Sequence, residues 1–283
     1  MSTVQRAGLV FSDLDGSLLD HHSYRFDAAL PAIEALQAAN IPLILVSSKT
    51  RAEIMALRED LANNHPFISE NGAAVYIPVN YFATKPPAAT QREGYWVYAT
   101  CPPRSHWVAL LQQLETEFPG SFDYFSRAGV DGIMQMTGLD ESRAAQANAR
   151  DYSEPVRWLA DEETKQRFVQ RLEQAGASVQ RGGRFMSVCA DASKGRALLW
   201  LRERYQENHP AAVIHDLAVG DAENDRQMLE AAGSALLVRS PVHGSVSLSR
   251  AEPALYSESL GPAGWAEGVL QWLENNGFTR KGS

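Results

Sequence analysis

From Gly8 to Ser69 the chain alternates short apolar runs with segments of helical periodicity, and no other feature restricts its fold as strongly. Gly8–Ser12 (GLVFS), Ile41–Val46 and the run PFIS ending at Ser69 are apolar stretches of strand length. Between them, Leu30, Ile33 and Leu36 recur at helical spacing. Thr50-Arg51-Ala52-Glu53 reads as a capping box, followed by Ile54, Leu57 and Leu61 on one apolar face. Strands that alternate with helices join by right-handed crossovers into a parallel sheet.

The same grammar returns near the end. SKGRALLWLRERYQ carries Leu198, Trp200, Leu201 and Tyr205 as a helix, DLAVGD is a strand ending in an acid, and ENDRQMLEAAG is a helix closed by Gly233. SALLV is another strand, and GPAGWAEGVLQWLENNG a turn followed by an amphipathic helix. Between the two halves the pattern changes. NYFATKPPAAT is Pro-rich and aromatic, a helix is predicted over His106–Phe118 with Ser105 as its N-cap, and PVRWL and ASVQRGGRFMSVCA supply strands around the helix DEETKQRFVQRLEQAG. With 283 residues, the expectation is an α/β parallel-sheet core, residues 1–80 and 191–283, with an inserted α+β cap at 81–190. Tyr95, Trp96, Tyr98 and Trp107 are assigned to the core of that cap.

The formal charge of −8 argues against a nucleic-acid footprint but leaves room for a local anion site. No window approaches a membrane span, and the N-terminus lacks the apolar stretch of a signal peptide. Two distant cysteines, Cys101 and Cys189, predict no disulfide scaffold and a reducing cytoplasm.

Four stretches fall at the C-terminal ends of core strands, the edge where open parallel sheets bind ligands. They are Asp13-Leu14-Asp15-Gly16, Ser47-Ser48-Lys49-Thr50, Lys194 at a helix start, and Gly220-Asp221-Ala222-Glu223-Asn224-Asp225. Each alone has a plain structural reading as a turn, a cap or a solvated charge. Together, clustered carboxylates suit Mg²⁺, while a lysine, short hydroxyls and the helix start at Thr50 suit a phosphate. That combination points to phosphoryl transfer.

In this order the four motifs resemble the haloacid dehalogenase superfamily of phosphatases. ISENGA (Ile68–Ala73) and the cap between the second and third motifs are similar to its Cof-like branch. Arg150-Asp151-Tyr152-Ser153-Glu154-Pro155, Gly182-Gly183-Arg184-Phe185, LVSSKT and GPAGW (Gly261–Trp265) resemble markers of mannosyl-3-phosphoglycerate phosphatases. The resemblance implies a Rossmann-like core with Asp13 as nucleophile and Asp15 as general acid and then base. It also implies Mg²⁺ held by Asp13, the Asp15 carbonyl and Asp221, with Ser47 and Lys194 on the phosphoryl group. Asn224 and Asp225 are implied as supporting groups, Asp225 orienting Lys194. Lys49, Asn71, Gly72, Glu154 and Arg184 are the candidates for binding a small phosphorylated glycoside. Ser17 and Ser47 stand where the family often has Thr, and Asp151 where Glu is commoner; the hydroxyls are retained.

The implied reaction is hydrolysis of mannosyl- or glucosyl-3-phosphoglycerate, giving a compatible solute, by a monomer or homodimer. A broad-specificity sugar-phosphate phosphatase is the alternative. A receiver-like phospho-acceptor or an inert binding relative is a weaker one, because the candidate nucleophile lies on the first strand and every catalytic residue type is present. Asp20, His21 and His22 read as loop residues.

Overall fold

The computed structural model describes residues 5–181, 184–244, 246–250 and 254–278. Gly182 and Gly183 of the GGRF stretch lie outside the described residues. The first half of the chain runs β1 (Gln5–Ser12), α1 (Leu30–Ala38), β2 (Leu43–Val46), α2 (Arg51–Asp60), β3 (Phe67–Ser69) and β4 (Ala74–Pro78). It continues with β5 (Thr90–Arg92), β6 (Tyr95–Ala99), α3 (Arg104–Leu114), β7 (Phe122–Tyr124), α4 (Phe125–Thr137) and α5 (Glu141–Asn148). Then follow β8 (Glu154–Trp158), α6 (Glu162–Gln174), β9 (Ser178–Arg181), β10 (Met186–Cys189) and α7 (Lys194–Asn208). The chain closes with β11 (Ala212–Gly220), α8 (Arg226–Ala231), β12 (Ser234–Arg239), β13 (Leu255–Leu260) and α9 (Gly261–Asn275).

These elements form two compact units: Met1–Ser47, Asn63–Tyr98 and Ser193–Ser283 in the first, Ser48–Ala62 and Ala99–Ala192 in the second. The first is built on a nine-stranded sheet of order β13-β12-β11-β1-β2-β3-β4-β6-β5. From β13 to β3 the neighbours pair in parallel; helices make the crossovers from β1 to β2, β2 to β3 and β11 to β12. Leu9, Phe11, Ile44, Val46, Ile68, Leu198 and Leu201 are buried together in its core. Each such side chain contributes about 1.5–3 kcal/mol relative to leaving it in water.

The sheet reaches further than the sequence pattern suggested. Residues 81–98, expected in the insert, supply β5 and most of β6 to this sheet, and Trp96 belongs to the core of the first unit. Their Pro-rich, aromatic composition carries no helix–strand alternation, so only pairing with β4 assigns them. In the second unit, β7, β8, β10 and β9 make an antiparallel sheet in that order. Trp107 and Leu111 of α3 and Phe168 and Leu172 of α6 share one core with Phe122, Val156 and Val188 of that sheet. Helix α3 begins at Arg104 with Pro103 as its N-cap residue, not at His106 behind Ser105; the Arg104 N–H instead bonds the Asp151 carbonyl at 2.7 Å. Among the described residues, no helix is long and apolar enough to cross a membrane.

Candidate active site

Strand β1 delivers its last residues to the C-terminal edge of the sheet, where the Asp13 N–H bonds the Val219 carbonyl of β11 at 2.9 Å. Parallel register sets Ser12 opposite Val219, so the chain leaving β1 and the chain leaving β11 emerge side by side. Asp13 and Asp221 are thereby neighbours, although 208 positions separate them in sequence. Asp225 joins them from the 3-10 turn Glu223–Asp225, and carboxylate oxygens of all three lie within 4.8 Å of one another.

Lys194, the first residue of α7, joins this group. Its Nζ donates to Asp13 Oδ1 at 2.6 Å and to Asp225 Oδ1 at 2.7 Å, and the side chain is 1% exposed. Helix α7 is fixed at this end by Ser193, whose hydroxyl accepts from the Arg196 N–H and donates to Gln227 Oε1. Asp225 is anchored independently, because its Oδ2 accepts from the N–H groups of Asp221 and Ala222 at 3.2 Å. Asp225 therefore both locates Lys194 and closes the turn that carries Asp221.

One cation does not balance three buried acids. Burial alone would lower the Lys194 pKa, but the Asp13 and Asp225 carboxylates outweigh it and hold the ammonium well above its ordinary value. Burial pushes the Asp13 carboxyl well up, Asp225 adds to this by repulsion, and Lys194 only partly offsets both. The Asp221 carboxyl is raised as well, first by burial, with Ser240 and His243 pulling it back. Its Oδ2 is buried and, among the described residues, accepts no hydrogen bond. A set of hard oxygens with surplus negative charge and an unsatisfied carboxylate oxygen fits a small divalent cation such as Mg²⁺.

Two glycines permit this closeness. Gly16 has φ +84°, and a Cβ on it would lie 2.5 Å from Asp221 Oδ2, so a side chain there would displace the acid. Gly72 has φ +96°, and its Cβ would stand 2.2 Å from the Ser193 carbonyl oxygen, just before Lys194. The preceding Asn71 is also left-handed, at φ 59°, and its N–H bonds the Ser47 carbonyl at 2.9 Å. Asn71 and Gly72 thus hold the β2 terminus and the start of α7 to one turn. Ser47 is buried at the end of β2, its N–H on the Ile68 carbonyl at 3.0 Å. Asp15 is half-buried one residue beyond Leu14.

The remaining candidates fall elsewhere. Asn224, expected as a supporting group, is exposed on the turn where Asp225 is buried. Lys49, Glu154 and Arg184 belong to the second unit. Glu154 is fully buried there: it pairs with Arg104 and accepts from the Ser126 N–H at 2.9 Å. Its carboxylate is spent on joining β8 to α3 and α4, where the sequence offered an exposed strand-start acid or a sugar contact. Arg184 is exposed and donates to the Met136 and Thr137 carbonyls at the end of α4. At the helix start at Thr50, expected to offer N–H groups to an anion, the capping box takes up the N–H groups of Thr50 and Glu53. Asp20 caps a loop by accepting from His22 and Ser23, as read from the sequence.

Ser240, His243 and Gln227 had no motif to mark them. Ser240 and His243 follow β12 and bear on Asp221 only because β11 and β12 are neighbours.

Residues 10–87 match the haloacid dehalogenase-like hydrolase family. Over 271 residues, 95% of this chain and 98% of the relative, the sequence is 32% identical to a glucosyl-3-phosphoglycerate/mannosyl-3-phosphoglycerate phosphatase of Methanococcoides burtonii. Among solved structures, a phosphatase of the haloalkanoate superfamily from Bacteroides thetaiotaomicron superposes with a TM-score of 0.63 at 18% identity. That match covers 98% of this chain and 97% of the other. The sucrose-phosphatase of Synechocystis sp. PCC6803 superposes with a TM-score of 0.57 at 14% identity, over 95% and 98% of the two chains. With its acids and lysine gathered at the sheet edge and a relative this similar along its whole length, the chain belongs to the haloacid dehalogenase-like hydrolases and is a phosphomonoesterase.

Proposed function

We propose that the chain hydrolyses a glycosyl-3-phosphoglycerate, mannosyl or glucosyl, to the glycosylglycerate and inorganic phosphate. The observation that carries the chemistry is Lys194, clamped at 2.6 and 2.7 Å between Asp13 and Asp225 beside Asp221. What favours this substrate class is the similarity, over 95% of the chain, to a phosphatase named for both glycosyl forms. The first unit carries the chemistry and the second governs which ester enters.

In this reading Asp13 is the nucleophile. Its carboxylate oxygen forms a bond to phosphorus, the bond from phosphorus to the glycerate oxygen breaks, and Asp15 protonates that departing oxygen. The aspartyl-phosphate on Asp13 is then opened by water, whose proton goes to Asp15, and phosphate departs. Lys194 keeps Asp13 aimed and neutralises part of the charge that gathers on the phosphoryl oxygens. Ser47 donates a hydrogen bond to the same oxygens from the end of β2. Asp13, Asp221 and the Asp15 carbonyl are the groups that would hold Mg²⁺, which would supply charge neutralisation and orientation to the phosphoryl group. The product is a compatible solute made in the reducing cytoplasm, where the buried thiols of Cys101 and Cys189 stay reduced.

Phosphate release with Mg²⁺ across a panel of mannosyl- and glucosyl-3-phosphoglycerate, hexose phosphates and sugar-alcohol phosphates tests the assignment. The expected result is a kcat/KM for the glycosyl-phosphoglycerates at least tenfold above the rest. A flat profile overturns the substrate class and favours a broad-specificity phosphatase. Retention of turnover by Asp13→Asn overturns the mechanism.

A further inference from the structure

Between the end of β1 and helix α9 runs a short buried chain of hydrogen bonds that none of the catalytic motifs contains. The Trp265 indole, 0% exposed, donates from Nε1 to Ser12 Oγ at 2.8 Å, and Ser12 Oγ lies 2.7 Å from the Asp13 carbonyl oxygen. An indole N–H can only donate, so Ser12 must accept on that side. Its single hydroxyl proton is then directed to the Asp13 carbonyl. The Asp13 N–H is already fixed on Val219, 2.9 Å away, so the Asp13 residue is held on both sides by bonds made to its own backbone. With its backbone N–H and C=O both bonded, the Asp13 carboxylate has little freedom except about its own side-chain torsions, and Lys194 takes up one oxygen.

We infer that Trp265 and Ser12 form a positioning relay for the nucleophile: Trp265 orients the Ser12 hydroxyl, which locks the Asp13 peptide in the attacking geometry. The inference rests on the proposed role of Asp13. It gives the GPAGW stretch a task in the reaction, one that rests on the indole N–H and not only on the volume of the Trp265 side chain. Phenylalanine fills most of the same space but leaves Ser12 without the bond that chooses its rotamer.

The test compares Ser12→Ala, Trp265→Phe and the double variant with the wild type, measuring kcat and KM for phosphate release with Mg²⁺ alongside thermal melting. Loss of one oriented hydrogen bond is expected to lower kcat by about tenfold in each single variant, with KM changed by less than about twofold. Because both substitutions cut the same chain, the double variant should lose no more than the worse single one. Losses that multiply to about a hundredfold, or a fall in melting temperature with kcat unchanged, overturn the relay. Should Trp265→Phe not fold, Ser12→Ala decides alone, and a wild-type kcat there overturns it. A wild type that releases no phosphate fails the proposed function itself, a result read before any variant is compared.

Discussion

Replacing Lys194 by methionine keeps the length of the side chain and removes the cation that pairs with both Asp13 and Asp225. Lys194 is 1% exposed and makes two charge-assisted hydrogen bonds, at 2.6 and 2.7 Å, to Asp13 and Asp225. Bonds of this kind contribute about 1.5–3 kcal/mol each. Breaking a buried pair by removing one partner costs about 3–5 kcal/mol, since the charge left behind is neither paired nor hydrated. The Lys194→Met variant should therefore lose about 3–5 kcal/mol of stability in the first unit when no divalent cation is present. A chain built of two compact units need not unfold in one transition, and a global signal then blurs the effect. Hydrogen exchange of the β1 and β11 amides across a urea series isolates it, and protection there should fall by two to four orders of magnitude. A second substitution discriminates the cause. Asp225→Asn still accepts from the Asp221 and Ala222 N–H groups but removes one of the stranded charges, so Lys194→Met/Asp225→Asn should be more stable than Lys194→Met alone. A loss below about 1 kcal/mol in the single variant, or two losses that simply add in the double one, would refute the electrostatic reasoning.

Gly72→Ala should cost about 1–3 kcal/mol and lower kcat, because its Cβ would stand 2.2 Å from the Ser193 carbonyl and push the start of α7; full activity would deny Gly72 that role. Burial holds Asp13 and Asp221 above the ordinary carboxyl value of 3.8, so without metal the fold loses stability as pH rises from that value through their raised pKa values. Mg²⁺ should accordingly raise the melting temperature more at neutral pH than in the acidic range where both are protonated, and an equal gain at both would contradict this. Glu154→Gln should destabilise the second unit through its buried pair with Arg104 while leaving KM unchanged; a raised KM at full stability would make Glu154 a substrate group.

The candidate site was legible in sequence wherever backbone direction alone fixes a residue. Asp13 and Asp221 end apolar strands, Lys194 starts a helix, and a parallel sheet brings strand ends to one edge whatever the loops do. The acids are readable from sequence because their local context defines their place. Glu154 was misjudged for the opposite reason. Its burial depends on Arg104, fifty residues earlier in the chain, and no local pattern records that partner. Asn224 is exposed on the same 3-10 turn that buries Asp225, a difference between adjacent residues that spacing does not resolve. Helix α4 has its pattern broken by Gly129 and Gly132, β13 (LYSESL) has no continuous apolar run, and β4 follows β3 across a single 3-10 turn, so none of the three shows a separate period in the sequence.

By itself, then, the sequence determined the α/β alternation, the order of the four motifs and the residue types that the chemistry requires, because hydrophobic period and chain direction are local properties. Only the tertiary structure decided that Asp225 binds Lys194 and the Asp221 turn at once, and that Gly16 and Gly72 are needed for close approach. It also decided that residues 81–98 extend the sheet of the first unit, and that Trp265 reaches Ser12 across 253 positions. Each of these depends on which distant segments share a face, and that is settled by packing and hydrogen-bond satisfaction between strands and helices far apart in the chain.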